Sequence, residues 1–300
     1  MEKNNIPFNL FYKKFNYLSL SLIFVSILFL LFKGLNYGVD FKGGTLIELR
    51  TNDNTISISD LRKSFTNMSL GDVSVKNFGN DNDFIVKFEK KENLEENFIE
   101  NLKNELKKDL GNSFNFRRVE SVGPKVSSEL LKSGILAIFL SLGAMLIYIW
   151  IRFEWQFSLG AIAAIFHDVI ITLGFFSILN LEINLSIVAA VLTIVGYSMN
   201  DTVVIFDRVR ENLKKFSDIK IFDLTNISIN ETLSRTIITS ATTLLALLSI
   251  FIFGGEILKG FSFAMILGVI IGTYSSIYIA NPILVMLKVS QKTILKDEKE

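Results

Sequence analysis

Six long apolar blocks and one polar interruption predict a membrane all-α bundle of six transmembrane helices, with a small α+β domain inserted between helices 1 and 2. Half of the 300 residues are hydrophobic, 27 of them Phe, and they cluster in blocks, which is not the pattern of a soluble domain. Each block approaches the ~20 residues needed to cross about 30 Å of hydrocarbon. The polar interruption instead alternates and turns like a domain folding in water.

The first block, about 17–34, follows Lys13 and Lys14 as a signal peptide would. No small-x-small cleavage site follows, and KGLNYGVDFKGG continues directly, so an uncleaved anchor is expected. Within 44–122, GGTLIELR alternates as a half-buried strand, and SISDLRKSFTNM has a Ser start with Leu61, Phe65 and Met68 at helical spacing. DVSVKNF and DFIVKFE are two further strands joined by the turn-rich GNDN. NLEENFIENLKNELKKDLG places Leu94, Phe98, Leu102 and Leu106 on one stripe and stops at Gly111; SFNFRRVESV is the last strand. The order β-α-β-β-α-β is the ferredoxin-like split pattern. Gly38, Gly43 and Gly44, and then Gly123-Pro124, bracket this domain as caps or hinges. The remaining blocks lie at about 130–151, 155–179, 185–206, 236–254 and 260–287. The expected frame is an N-terminus 1–16, a first helix 17–34, a head 35–127, five helices within 128–287 with a loop at 207–234, and a tail 288–300.

Orientation follows from the basic residues. With the N-terminus inside, the cytoplasmic segments hold Lys3, Lys13, Lys14, Arg152, Arg208, Arg210, Lys214, Lys215, Lys220, Lys288, Lys292, Lys296 and Lys299. The short outer loops hold only Lys259. Both termini and the 207–234 loop are therefore expected in the cytoplasm, with the head outside. Arg208, Arg210, Lys214 and Lys215 read as topology signals and contacts for anionic lipid. Glu154 and Trp155, at a tight turn beside Arg152, read as interface anchors.

Several chemistries find no support. There are no cysteines, and the single histidine, His167, cannot build a multi-histidine metal site within the chain. No Walker lysine loop, G-x-S-x-G or HExxH occurs, so no hydrolytic enzyme or cofactor is expected. A net charge of +1 gives no signal for nucleic acid.

The residues that invite chemistry are the ionisable ones inside the blocks. Asp201 sits within the run Leu185–Phe206. A carboxylate at membrane depth costs about 2.5–3.5 kcal/mol on insertion scales and marks an ion or proton pathway. Asn200 stands beside it, and Arg235 heads the next block, which predicts a polar cluster shared by two helices. Thr193, Gly196, Tyr197, Asn200, Asp201 and Val204 fall near one face; Arg235, Thr236, Thr239 and Thr243 form the facing stripe, with Thr242 alongside. Burial opposes ionisation of a carboxyl and a nearby guanidinium favours it. Moving Arg235 relative to Asp201 would therefore switch cation affinity; a static bridge fixing helix packing is the alternative. His167-Asp168, mid-run in GAIAAIFHDVIITLGFF, and Thr202 are candidates for either a relay or packing. The coupling ion is H⁺ or Na⁺.

Five segments in order carry a family resemblance: GVDFKGGT, VGPKVSSELLKSG, FHDVIITLGFFS, VGYSMNDTVVIFDRVREN and ETLSRTIITSATTL. Together they resemble the SecF side of the SecD/SecF protein-export family, over about 35–287. The resemblance implies an RND-superfamily half of six helices, completed by SecD as the other half, in the bacterial inner membrane beside the SecYEG translocon. It also implies that the proton (or sodium) motive force drives the heads to promote export of an unfolded preprotein. The family's membrane carboxylate maps onto Asp201 and its arginine onto Arg235. Other expectations the residues leave open are an RND-type small-molecule transporter and a non-transporting translocon scaffold.

Overall fold

The computed structural model describes residues 5–52, 56–68, 70–78, 80–88, 98–111, 114–216 and 218–297. After a 3₁₀ turn at Phe8–Phe11, the elements are α1 (Tyr12–Phe32), β1 (Asn36–Tyr37), α2 (Val39–Lys42), β2 (Gly44–Thr51), α3 (Ile58–Asn67), β3 (Val73–Phe78), β4 (Asn80–Phe88), α4 (Phe98–Leu110) and β5 (Phe114–Val122). They continue with α5 (Pro124–Arg152), α6 (Trp155–Ile178), β6 (Glu182–Ile183), α7 (Leu185–Lys215), α8 (Ile221–Phe253), α9 (Glu256–Ser275), a π-turn (Ser276–Ala280), α10 (Asn281–Met286) and α11 (Gln291–Asp297). Lys3, Lys299, Leu94 and Gly79, used in the sequence reading above, lie outside the described residues. The chain divides into two compact units, Met1–Asn36 with Ala137–Glu300, and Tyr37–Leu136.

Among the described residues, six stretches are long and apolar enough to cross a membrane: Phe8–Phe32, Pro124–Arg152, Trp155–Ile178, Leu185–Lys215, Ile221–Phe253 and Leu258–Met286. Their ends correct the boundaries read from hydropathy. The first helix starts before 17, at Tyr12, where the phenol packs among buried residues. The second starts at Pro124, ahead of 128, because a proline at the first helical position loses no bond and already has helical φ. The predicted loop 207–234 is almost entirely helix, leaving only 216–220 between α7 and α8. Those extensions stay helical because they continue to bury an apolar stripe: Val209 and Leu213 on α7, Leu224 and Ile229 on α8.

Their charged residues are paired as well. Arg208 donates to Glu231 at 2.6 Å, Asn212 donates to Glu231 at 2.7 Å and to Ser228 at 3.0 Å, and Arg210 donates to the buried Glu154 at 2.9 Å. Arg152 reaches Asp207 at 2.8 Å, and both Arg152 and Arg210 lie over the Phe153 ring. Glu154, read from the sequence as an interface anchor, is a buried carboxylate ion-paired with the half-buried Arg210. Phe153, Phe157 and Phe206 pack together beneath this layer.

Small residues bring the helices of this unit close. At Gly174 on α6, an added Cβ would stand 2.3 Å from the Cβ and Oγ of Ser26 on α1. Just beyond, Ser177 Oγ donates to the carbonyls of Phe29 (3.0 Å) and Gly34 (2.7 Å). The α9–α10 rod is interrupted where Pro282 cannot donate to the preceding turn. The π-turn absorbs the break, and Asn281 Nδ2 donates to the Ser276 carbonyl at 2.7 Å, replacing part of what is lost.

The second unit holds a four-stranded antiparallel sheet of order β3-β4-β2-β5. The alternation in GGTLIELR puts Ile47 and Leu49 on the face covered by α3 and α4. Leu61, Phe65, Leu102 and Leu106 from the helices close that core with Val75, Phe84, Val86 and Phe88. Each such buried side chain stabilises the head by about 1.5–3 kcal/mol. On the other face Arg50 grips Asp83 with two bonds of 2.6 Å. Ser57 caps α3: its hydroxyl accepts from the Asp60 amide at 3.2 Å while the Asp60 carboxylate accepts from the Ser57 amide at 3.1 Å. α4 stops at Gly111, with φ +70°. Gly43, at φ +80°, lets the chain turn into β2 where a Cβ would stand 3.3 Å from Pro124 Cα.

Candidate functional site

The α7 helix continues through Asp201 because its interior stripe is unbroken: Val191, Ile194, Val195, Ser198, Thr202 and Ile205 are all buried. Asp201 falls on that stripe and is 3% exposed. Its carboxylate accepts from Thr273 Oγ1 on α9 at 3.4 Å. Thr273 in turn lies 2.8 Å from Ser240 Oγ on α8, to which the Tyr197 hydroxyl donates at 3.4 Å. Three helices thus converge on one carboxylate through a chain of hydroxyls. Hydroxyl donors solvate a carboxylate and a protonated carboxyl alike, because each can turn from donor to acceptor.

The structure places the residues singled out in the sequence differently from one another. Arg235 is exposed; it is near enough for its charge to act on Asp201, but the two do not close into a salt bridge. The reason is helical phase: on α8 it is Thr236 and Ser240 that turn inward, and Arg235 stands just outside that stripe. Asn200 is likewise exposed, on the side of α7 away from the buried stripe, together with Thr193 and Gly196. Thr202 is fully buried, but its hydroxyl is bound to the Ser198 carbonyl of its own helix at 3.1 Å. Thr239 bonds the carbonyls of Arg235 and Thr236 in the same way, and Thr242 and Thr243 follow suit. Thr236 is the exception: its Oγ1 is buried without a hydrogen-bond partner.

His167 and Asp168 lie elsewhere on the same interior. Asp168 is fully buried and bonds Ser198 of α7 and Ser275 of α9, the two helices that also carry Asp201 and Thr273. Sequence reading missed Ser198, Ser240, Thr273 and Ser275. A serine or threonine in an apolar helix carries little signal by itself, since most satisfy their hydroxyl within their own backbone. The one available cue was GTYSS, an uncommon density of hydroxyls in the sixth block.

Comparison with known proteins agrees with this architecture. The family described as protein export membrane protein SecD/SecF, C-terminal, matches residues 102–290, and the SecD/SecF GG motif matches 28–54, around Gly43-Gly44. The protein translocase subunit SecF of Rickettsia bellii is 46% identical over 285 residues, covering 94% of this chain and 93% of its own. That of Calditerrivibrio nitroreducens is 44% identical over 293 residues, covering 96% of each. A solved Thermus SecDF, described as a translocon-associated membrane protein, superposes with a TM-score of 0.85 at 34% identity over 96% of this chain. SecDF in its super-membrane-facing form gives a TM-score of 0.70 at 33% identity. This chain spans 39% and 40% of those two solved chains. With the family matched over most of its length, the chain belongs to the SecD/SecF protein-export family, as a SecF-type subunit of the protein translocase.

Proposed function

We propose that the chain acts with SecD, beside the SecYEG channel in the bacterial inner membrane, to convert the proton (or sodium) motive force into forward movement of an unfolded preprotein. The observation that carries this reading is Asp201: a buried carboxylate held by the hydroxyls of Thr273 and Ser240, with the Arg235 guanidinium near enough to act on it electrostatically but not closed into a salt bridge. A charge held in that way is neutralised by an arriving cation. Na⁺ and H⁺ both suit a carboxylate ringed by hydroxyls.

Six helices form one half of an RND-like bundle, and SecD supplies the other. In favour of this, Thr193, Gly196 and Asn200 on α7 and Arg235 on α8 are exposed in the single chain although they lie in or beside apolar blocks. Small and polar residues of this kind suit close helix–helix contact in a bilayer. Arg235, already within electrostatic reach of Asp201, then closes into a direct ion pair in the assembled pair or in one state of the cycle. The second unit, with its β-α-β-β-α-β order and β3-β4-β2-β5 sheet, is a ferredoxin-like head on the extracytoplasmic side, inserted between helices 1 and 2. Both termini face the cytoplasm, where the Lys and Arg not engaged by carboxylates contact anionic lipid.

The energy available is modest. One elementary charge crossing the membrane delivers about 2.3 kcal/mol per 100 mV. That shifts a two-state rocking equilibrium strongly but does not unfold a stable domain in one step. Repeated biasing of preprotein diffusion fits this scale. The test is Asp201→Asn in reconstituted translocase with SecD. Assembly is expected to be intact, while gradient-driven export and ion flux are lost. Export that survives in a normally assembled complex establishes the scaffold reading instead; gradient-driven accumulation of a small molecule establishes the RND transporter.

A further inference from the structure

A second ionisable group lies deeper than Asp201 and has no part in the reading above. Midway along α6, His167 Nδ1 stands 2.8 Å from Asp168 Oδ1, and both residues are buried at 2% and 0% exposure. Asp168 Oδ2 accepts from Ser198 Oγ of α7 at 2.6 Å and from Ser275 Oγ of α9 at 2.8 Å. The imidazole stacks on Tyr274 of α9, with centroids 5.9 Å apart and planes at 26°. The Tyr274 hydroxyl donates to the Phe15 carbonyl at 2.8 Å and lies 2.7 Å from Ser19 Oγ, both on α1. The other ring nitrogen, His167 Nε2, is buried with no hydrogen-bond partner.

Four helices meet on this pair, and the groups they present are few. The α9 helix offers Tyr274, with Tyr278 of the π-turn 5.3 Å from it. The α1 helix offers Ser19, and α7 offers Ser198 with Asp201 three residues further on. Gly272 is part of the fit, since a Cβ there would stand 3.2 Å from Ser198 Cβ and 3.5 Å from Asp168 Oδ2. Two hydroxyl donors occupy Oδ2, and one proton serves the Nδ1–Oδ1 contact. The open position for a further proton is therefore Nε2. Its arrival converts a pair of net charge −1 into a neutral imidazolium–carboxylate pair.

We propose that His167 and Asp168 form a second protonation site, loaded at His167 Nε2, whose charge sets how α7 and α9 hold the Asp201 carboxyl. The link is short: Ser198 lies one turn before Asp201, and Ser275 lies two residues after Thr273. His167 is thus a positioning residue, and this second step rests on the reading of Asp201 as the coupling carboxylate.

Because His167 is the single histidine of the chain, ¹⁵N-histidine placed in this subunit alone reports on one imidazole. Solid-state NMR of the complex in proteoliposomes, with SecD unlabelled, follows both ring nitrogens as the buffer is stepped from alkaline to acid. The Nε2 resonance is expected to move from the bare to the protonated position while Nδ1 stays hydrogen-bonded. In Asp201→Asn the pH of that change is expected to shift. His167→Asn, which keeps an amide N–H facing Asp168 but cannot take up a proton, is expected to assemble and to export with a flattened pH profile. An Nε2 that keeps one protonation state throughout the pH range in which export runs overturns the site. A change that is identical in Asp201→Asn overturns its link to the carboxylate. Failure of the Asp201 reading itself appears separately, as unimpaired export in Asp201→Asn.

Discussion

Replacing Gly174 by Ala drives a methyl group into α1. The new Cβ would sit 2.3 Å from Ser26 Cβ and Oγ and 2.8 Å from Ser26 Cα. Carbon atoms rest at about 3.5–4.0 Å, so the two helices must separate by roughly 1 Å at this point. A side-chain rotation cannot relieve the clash, because one of the three atoms is backbone. Separation also stretches the Ser177 hydroxyl away from the carbonyls of Phe29 and Gly34, now at 3.0 and 2.7 Å. Overpacking costs about 1–3 kcal/mol and a weakened hydrogen bond about 1 kcal/mol, giving a loss of about 2–4 kcal/mol. The assay is unfolding of the purified chain in mixed detergent micelles, followed by circular dichroism. Ser26→Gly removes two of the three clashing atoms and leaves Cα, so the double variant should recover part of the loss. A coupling of more than about 1 kcal/mol in the double-mutant cycle is expected. Unchanged stability in Gly174→Ala, or no coupling with Ser26→Gly, would refute the close α1–α6 contact.

The same exchange at Gly196 meets open space, so Gly196→Ala should leave the isolated chain as stable as before or slightly more so, by up to about 1 kcal/mol. If that face receives SecD, the variant should nonetheless weaken co-purification with SecD; full co-purification places the partner elsewhere. Arg235→Met should impair export about as much as Asp201→Asn while leaving assembly intact, and normal export removes Arg235 from the mechanism. Ser57→Ala should destabilise the head by about 1 kcal/mol at neutral pH, measured by proteolysis or hydrogen exchange. The Ser57 hydroxyl and amide hold the Asp60 carboxyl below the usual carboxylate range. The stability they contribute is therefore present above the unfolded-state value and disappears as the pH falls through the folded one. The gap between wild type and Ser57→Ala should close in acid, and a gap that widens there would contradict the cap.

Much of the architecture could be read from the chain. The number and order of the spans follow from hydropathy, because hydrocarbon demands continuous apolar sequence. Strand alternation in GGTLIELR and the Leu61/Phe65 spacing place the head's buried side chains on the observed face. Helix ends were much less legible. FDRVRENLKK carries four basic residues and looks like loop, yet Val209 and Leu213 are buried and the two arginines pair across to Glu231 and Glu154. Tertiary partners, invisible in a local window, decide such segments. The site divides in the same way. Asp201 and Asp168 announce themselves as charges within apolar runs. Thr273, Ser240, Ser198 and Ser275 do not, because only the fold distinguishes a hydroxyl facing a carboxylate from one bonded to its own helix. Arg235 stands out in the chain as a cation heading an apolar run, but the direction it takes depends on helical phase relative to its neighbours.

The π-turn at Ser276–Ala280 has a geometric corollary. Its wider turn accommodates one residue beyond the α-helical count, and each residue advances a helix by about 100°. The two rods it joins are consequently clocked independently. On one side Thr273 and Ser275 address the carboxylates; on the other Asn281 and Leu284 are fully enclosed by the bundle. A straight rod through the same residues could orient one set or the other, never both. The bulge is the gear offset that allows a single strut to serve two differently aimed sockets, and trimming one residue from it would swing Leu284 out of its seat by more than a quarter-turn.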